Sequence, residues 1–138
     1  MPAFPVGALV DTNVWLDVMT ANPQWGPWSS RALLGAAARG SLVINQLVYS
    51  ELLVGFDAIE PLDDFLRRFG VVRSGLPWDA AFLTAKAYQR YRASGGKRHS
   101  PMPDFYIGAH ALAAGLTLLT RDDRVYRTYF PNLSVISP

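Results

Sequence analysis

Ala8-Leu9-Val10-Asp11-Thr12-Asn13-Val14-Trp15-Leu16-Asp17-Val18-Met19 is the stretch on which the reading of the whole chain turns. Its first three residues form an unbroken apolar run, and Asp11 closes that run with a carboxylate. From Val14 the apolar positions (Val14, Trp15, Leu16, Val18, Met19) change to helical spacing. The stretch therefore predicts a strand, a turn at Asp11 to Asn13, and a helix. A strand without polar alternation is covered on both faces, as in a parallel sheet flanked by helices.

The same alternation continues along the chain. Asn22-Pro23-Gln24-Trp25-Gly26-Pro27 reads as a loop, after which Ser29 or Ser30 is predicted to cap an alanine-rich helix that stops at Gly40. Leu42 to Ile44 is the second strand, followed by a helix whose apolar face holds Val48, Leu52 and Phe56, with Glu51 off that stripe. A helix through Leu62, Phe65, Leu66 and Phe69 ends at Gly70, and Val71-Val72 is the third strand. Trp78, Phe82, Ala85 and Gln89 mark a helix running to about Ala93. Ser94 to Pro103 reads as an irregular loop, and Asp104 opens a helix to about Gly115. Leu116 to Leu119 is the fourth strand, and Leu133 to Ile136 the fifth, after a short helix. The expected fold class is α/β, a parallel five-stranded sheet with helices on both faces, and residues 1–138 read as a single domain.

Composition narrows the chemistry. The chain has 138 residues, half of them hydrophobic, which suffices to bury one core. It has no cysteine, so disulfides and thiolate metal sites are excluded and any metal must take oxygen or histidine ligands. Met1 to Leu9 lacks a secretory pattern, and the charge-free stretch Phe105 to Thr120 is shorter than the roughly 20 apolar residues a membrane span needs. A cytoplasmic protein without membrane attachment is expected. The net charge of +2 is only mildly basic, but its distribution is uneven. Asp57, Glu60, Asp63 and Asp64 crowd the middle, whereas Lys86, Arg90, Arg92, Lys97 and Arg98 precede the Asp104 segment. That basic stretch is either a solvated face or a surface for a nucleic-acid backbone.

In an open parallel sheet the ligand crevice lies at the carboxyl ends of the strands. Asp11 closes the first strand, Asp122 follows the fourth across Thr120-Arg121, and Asp104 starts the helix leading into that strand. Glu51 would reach the same crevice from about one turn into its helix. Carboxylates gathered about 4 Å apart repel by on the order of 4 kcal/mol at an effective dielectric near 20, so the protein must protonate them or supply a cation. Hard divalent ions such as Mg²⁺ or Mn²⁺ take oxygen ligands, and the chemistry they support is attack of water on a phosphodiester. His99 and His110 are not spaced as a zinc pair, and no serine lies in a nucleophile-elbow pattern. Each acid also has a plain structural role open to it: Asp104, Asp122 and Asp123 as helix caps, Asp11 as a turn residue, Glu51 as a surface acid.

Four segments together resemble a known family. Leu9-Val10-Asp11-Thr12-Asn13 resembles the opening strand and turn of PIN domains, and Asn45 to Gly55, with Glu51 inside it, is similar to the helix carrying that family's glutamate. Met102 to Gly115, with Asp104, resembles the third acidic motif, and Leu118 to Pro131, with Asp122 and Asp123, the closing one. The resemblance implies a five-stranded parallel sheet and Mg²⁺- or Mn²⁺-dependent RNA cleavage. For a short chain it also implies the VapC role, the toxin of a toxin–antitoxin pair, with an antitoxin partner and a homodimer. On this reading Asp11, Glu51, Asp104 and Asp122 are the catalytic acids, and Asp11, Asp104 and Asp122 hold metal. Asn13 and Thr120 orient the ligands, Asp123 assists, and Arg90, Arg92, Lys97 and Arg98 contact the RNA backbone. A catalytically silent binding module and a housekeeping RNA-processing nuclease are the alternatives.

Overall fold

The computed structural model describes residues 7–96 and 102–138. Five strands, β1 (Ala8–Val10), β2 (Leu42–Ile44), β3 (Val72–Arg73), β4 (Thr117–Leu119) and β5 (Val135–Ile136), form one sheet in the order β3-β2-β1-β4-β5. Every pairing is parallel. The α/β fold expected from the sequence is therefore the fold observed. All residues of β1 and β2 are buried, as continuous apolar runs require when helices cover both faces.

Among the described residues seven helices connect the strands: α1 (Thr12–Met19), α2 (Gly26–Arg39), α3 (Gln46–Leu53), α4 (Glu60–Arg68), α5 (Trp78–Ala93), α6 (Met102–Ala114) and α7 (Arg124–Tyr129). Among these described helices none is long and apolar enough to cross a membrane. Trp15 on α1 is fully buried and meets the edges of Phe65 and Phe69 at 6.1 and 5.6 Å, while Phe105 of α6 packs edge-on against Tyr129 of α7 at 5.2 Å.

The chain runs outward from β1 in two directions, through β2 and β3 on one side and β4 and β5 on the other. The sheet thus has its switch point between β1 and β4, where a crevice opens at the carboxyl ends. The register aligns Val10 with Leu119, so Asp11 and Thr120 are the next residues along two adjacent strands. Asp11 N–H still donates to Leu119 O at 2.9 Å, which fixes the first carboxylate at the crevice.

Several boundaries differ from the expected ones. Asp11 itself N-caps α1, which begins at once at Thr12. Neither Ser29 nor Ser30 caps α2: that helix starts at Gly26, with Pro in its first turn, and Ser29 is buried, donating to Asp17 Oδ2 at 2.7 Å. Helix α6 opens at Met102 and carries Asp104 in its first turn. Gly115, with φ +67°, supplies the left-handed turn from α6 into β4. Lys97, Arg98 and His99 lie outside the described residues.

Candidate functional site

The crevice holds a cavity of about 260 Å³ lined by Asp11, Thr12, Asn13, Leu16, Glu51, Asp104, Asp122, Val125 and Tyr126. All four acids named from the sequence face this one space, though they come from four segments of the chain. Asp123 does not line it. Its carboxylate accepts from Arg127 Nε at 2.6 Å and Ser137 Oγ at 2.8 Å.

Asp11 is held most tightly. Its Oδ1 accepts from Thr12 N–H at 2.8 Å, and its Oδ2 accepts from Thr120 Oγ1 at 2.9 Å and Tyr126 Oη at 3.0 Å. A carboxylate offers about four lone-pair positions, so three donors leave roughly one free. Thr12 Oγ1 donates to Glu51 Oε1 at 3.2 Å, bringing α3 to the first strand's end. Asn13 donates to Thr120 Oγ1 at 3.4 Å and accepts Arg121 N–H at 3.1 Å. Asn13 and Thr120 thus link Asp11 to the loop after β4.

Burial and mutual repulsion show in the protonation of the acids. Asp104 is pushed up to about 6, first by burial and then by the charges of Asp11, Glu51 and Asp122, against a lowering by the nearby Tyr126 hydroxyl. Asp11 is also raised, burial outweighing its three donors, and Glu51 is raised by burial with the Asp11 charge adding to it. Asp122 goes the other way, because Arg124 grips both its oxygens at 3.0 and 2.9 Å and lowers it. Among the described residues Asp11, Glu51 and Asp104 form no ion pair. A cavity with three uncompensated acids is matched by a hard cation with oxygen ligands. The donor set fits Mg²⁺ or Mn²⁺, although among the described residues no three such side chains already stand as an ion-holding cluster. An ion would have to draw them inward.

Two features escaped the sequence. Tyr126, buried and donating to Asp11, has its hydroxyl raised well above 10 by burial and then by the Asp11 and Asp104 charges, so it remains a donor. Its only trace in the sequence is an aromatic one helical turn after Asp122. The other is the pair of Asp17 and Arg121, with Arg121 Nε on Asp17 Oδ2 at 2.7 Å and Nη2 on Oδ1 at 3.1 Å. Arg121 also lies over the Trp25 ring at 5.5 Å. Asp17 falls inside an apolar helix pattern, which was the available hint.

A second cavity, of about 250 Å³, opens beside β2 and β3 and includes Asn45, Tyr49, Arg73 and Ser74. Under it Ser74 Oγ meets His110 Nε2 at 3.3 Å, and His110 Nδ1 meets Asn45 Nδ2 at 3.0 Å. Asn45 Oδ1 is already taken by Val48 N–H, so the amide nitrogen faces the ring. Nδ1 must then accept and Nε2 must donate to Ser74. That tautomer cannot take a proton from the serine, and burial lowers the histidine's affinity for another. The chain Ser74, His110, Asn45 is a structural tie around a fully buried histidine.

Of the predicted backbone contacts, Arg90 donates to Tyr129 O at 2.7 Å and Arg92 lies over Tyr88 at 5.8 Å. Both are exposed on the last turn of α5.

Comparison with known proteins follows the same line. The structure is similar to that of VapBC2 from Rickettsia felis bound to a promoter DNA fragment, with TM-score 0.74 and 21% identity over 96% of this chain and 98% of that one. It is similar to VapBC-1 from nontypeable Haemophilus influenzae, with TM-score 0.70 and 18% identity over 95% and 97%. It is also similar to Mycobacterium tuberculosis VapC20, a sarcin-ricin loop cleaving toxin, with TM-score 0.59 and 16% identity over 88% and 94%. At these identities the likeness is one of fold. No curated protein sequence matches significantly. The family model for the PIN domain matches residues 8–131, and the chain belongs to the PIN domain family.

Proposed function

We propose that the protein is a divalent-metal-dependent endoribonuclease that acts as the toxin of a toxin–antitoxin pair in the cytoplasm. The carrying observation is the cavity at the switch point, where Asp11, Glu51 and Asp104 face one another with raised carboxyls and, among the described residues, no cationic partner. Membership of the PIN family and the likeness to VapBC structures support the reading.

Asp11, Asp104 and Asp122 would hold Mg²⁺ or Mn²⁺, with Glu51 beside them. Such an ion supplies Lewis-acid stabilisation of phosphate charge and an activated water. Thr12, Asn13 and Thr120 keep Asp11 and Glu51 oriented, and Glu51, the most exposed of the three uncompensated acids, can accept a proton from attacking water. Asp122, paired with Arg124 in this structure, would have to leave that partner to serve as a ligand. Arg90, Arg92, Lys97 and Arg98 would grip the RNA backbone, which makes binding weaken as salt rises. The partner would be an antitoxin that covers the cavity and offsets its charge, and the free toxin would be a homodimer.

The test is RNA cleavage by the purified chain with Mn²⁺, together with growth arrest on expression, relieved by the product of an adjacent small gene. Cleavage that survives chelation, or expression without arrest, rejects the corresponding half of the proposal.

A prediction about stability follows from the sign of the Asp104 shift. Because its folded-state value is about 6 rather than the ordinary 3.8, the folded protein binds the extra proton between those values, and stability from this group is lost as pH rises through 6. Asp104→Asn is therefore expected to stabilise the metal-free protein at pH 8 by on the order of 1–2 kcal/mol after solvent screening, and not at pH 4. Urea denaturation at the two pH values measures this. An equal effect at both would show that Asp104 carries no strained charge.

A further inference from the structure

Tyr126 holds a position that the proposed chemistry does not by itself explain. It lies in α7, its hydroxyl donates to Asp11 Oδ2 at 3.0 Å, and it lines the acidic cavity together with Asp104. A residue of α7 thus holds the carboxylate that follows β1, 115 positions earlier in the chain. The ring is seated by an independent feature of the sequence. Gly108, one turn after Asp104 on α6, leaves a gap in which a Cβ would come within 2.8 Å of Phe130 and 3.1 Å of Tyr126. A Cβ there would force those two rings to shift, and the hydroxyl of Tyr126 with them.

We propose that Tyr126 is a positioning residue of the metal centre. Its hydroxyl, set in depth by the gap at Gly108, fixes the orientation of Asp11 and so sets how tightly the acids hold a divalent ion. Thr120 fills the other position on Asp11 Oδ2, which leaves the remaining lone pair of Asp11 turned to the cavity. Without the hydroxyl, Asp11 keeps two donors, Thr12 N–H and Thr120 Oγ1, and gains freedom to rotate. Groups that orient metal ligands through hydrogen bonds typically change affinity 10- to 100-fold when removed.

This inference rests on the proposed metal-dependent function, and the experiment separates the two. Mn²⁺ binding is measured by titration calorimetry at 25 °C on the wild type, Tyr126→Phe and Tyr129→Phe, with circular dichroism confirming that each is folded. Phenylalanine keeps the ring in its seat. Tyr129 lies on the same helix and packs against Phe105 but does not line the acidic cavity, so its variant controls for packing. The expected result is wild-type affinity for Tyr129→Phe and affinity about 10-fold weaker for Tyr126→Phe. In RNA cleavage at subsaturating Mn²⁺, Tyr126→Phe should lower kcat with KM for RNA unchanged, and raised Mn²⁺ should restore it. Unchanged affinity in Tyr126→Phe, or an equal loss in Tyr129→Phe, overturns the role given to Tyr126. A wild type that binds no Mn²⁺ overturns the metal-dependent function as well.

Discussion

Asp11→Asn is expected to reduce Mn²⁺-stimulated RNA cleavage by about 10³-fold, the equivalent of losing about 4 kcal/mol of transition-state stabilisation. The fold should survive. Asparagine keeps an oxygen for Thr12 N–H, and the hydroxyls of Thr120 and Tyr126, which donate to Asp11 Oδ2 in the wild type, can turn to accept from its amide. Since burial raises the Asp11 carboxyl, removing its charge relieves Asp104 and Glu51 rather than exposing them. Single-turnover cleavage with and without Mn²⁺, beside a thermal melt, checks both halves. A folded variant with wild-type cleavage would remove Asp11 from the mechanism.

Much of this site was legible in the sequence because the acids mark strand ends. Apolar runs that stop at Asp11, and at Thr120 before Asp122, identify the carboxyl edge of a parallel sheet, and parallel topology then brings the two together. Glu51 needed the helix after β2 to start at once, which the Asn45 cap ensures by accepting Val48 N–H at 3.0 Å. What stayed hidden depends on side-chain direction. Nothing in the spacing of Asp122 and Asp123 says that one turns to the cavity and the other to Arg127 and Ser137. Tyr126 reads as one more apolar helix residue until its hydroxyl is seen on Asp11. Ser29 reads as a cap because serine favours that position, but tertiary structure assigns it to Asp17.

Asp17 leads to the second large effect. Arg121→Ala is expected to destabilise the protein by about 3 kcal/mol or more, since breaking a buried pair leaves an uncompensated charge. Asp17 is only 2% exposed, and Ser29 alone would remain to serve it. In a domain of this size the melting temperature should fall by on the order of 10 °C. Activity should suffer too, because the Arg121 side chain anchors the turn that carries Thr120 and Asp122 to α1 through Asp17, and its loss leaves only the backbone N–H bond to Asn13. The double change Asp17→Asn with Arg121→Met removes both charges and is expected to recover most of the stability. Urea denaturation of the single and double variants decides it. A loss below about 0.5 kcal/mol for Arg121→Ala, the range of ordinary surface substitutions, would mean that the pair does not hold the turn.

The central claim is that acids from four separate segments make one hollow whose charge a divalent ion must balance. Thermal denaturation of the wild type and of Asp11→Asn/Asp104→Asn, with and without Mn²⁺, tests it most directly. At 100 times its dissociation constant the ion should stabilise the wild type by about 2.7 kcal/mol, raising its melting temperature by on the order of 10 °C, and leave the double variant unmoved. No shift in the wild type at millimolar Mn²⁺, or the same shift in both proteins, would contradict it.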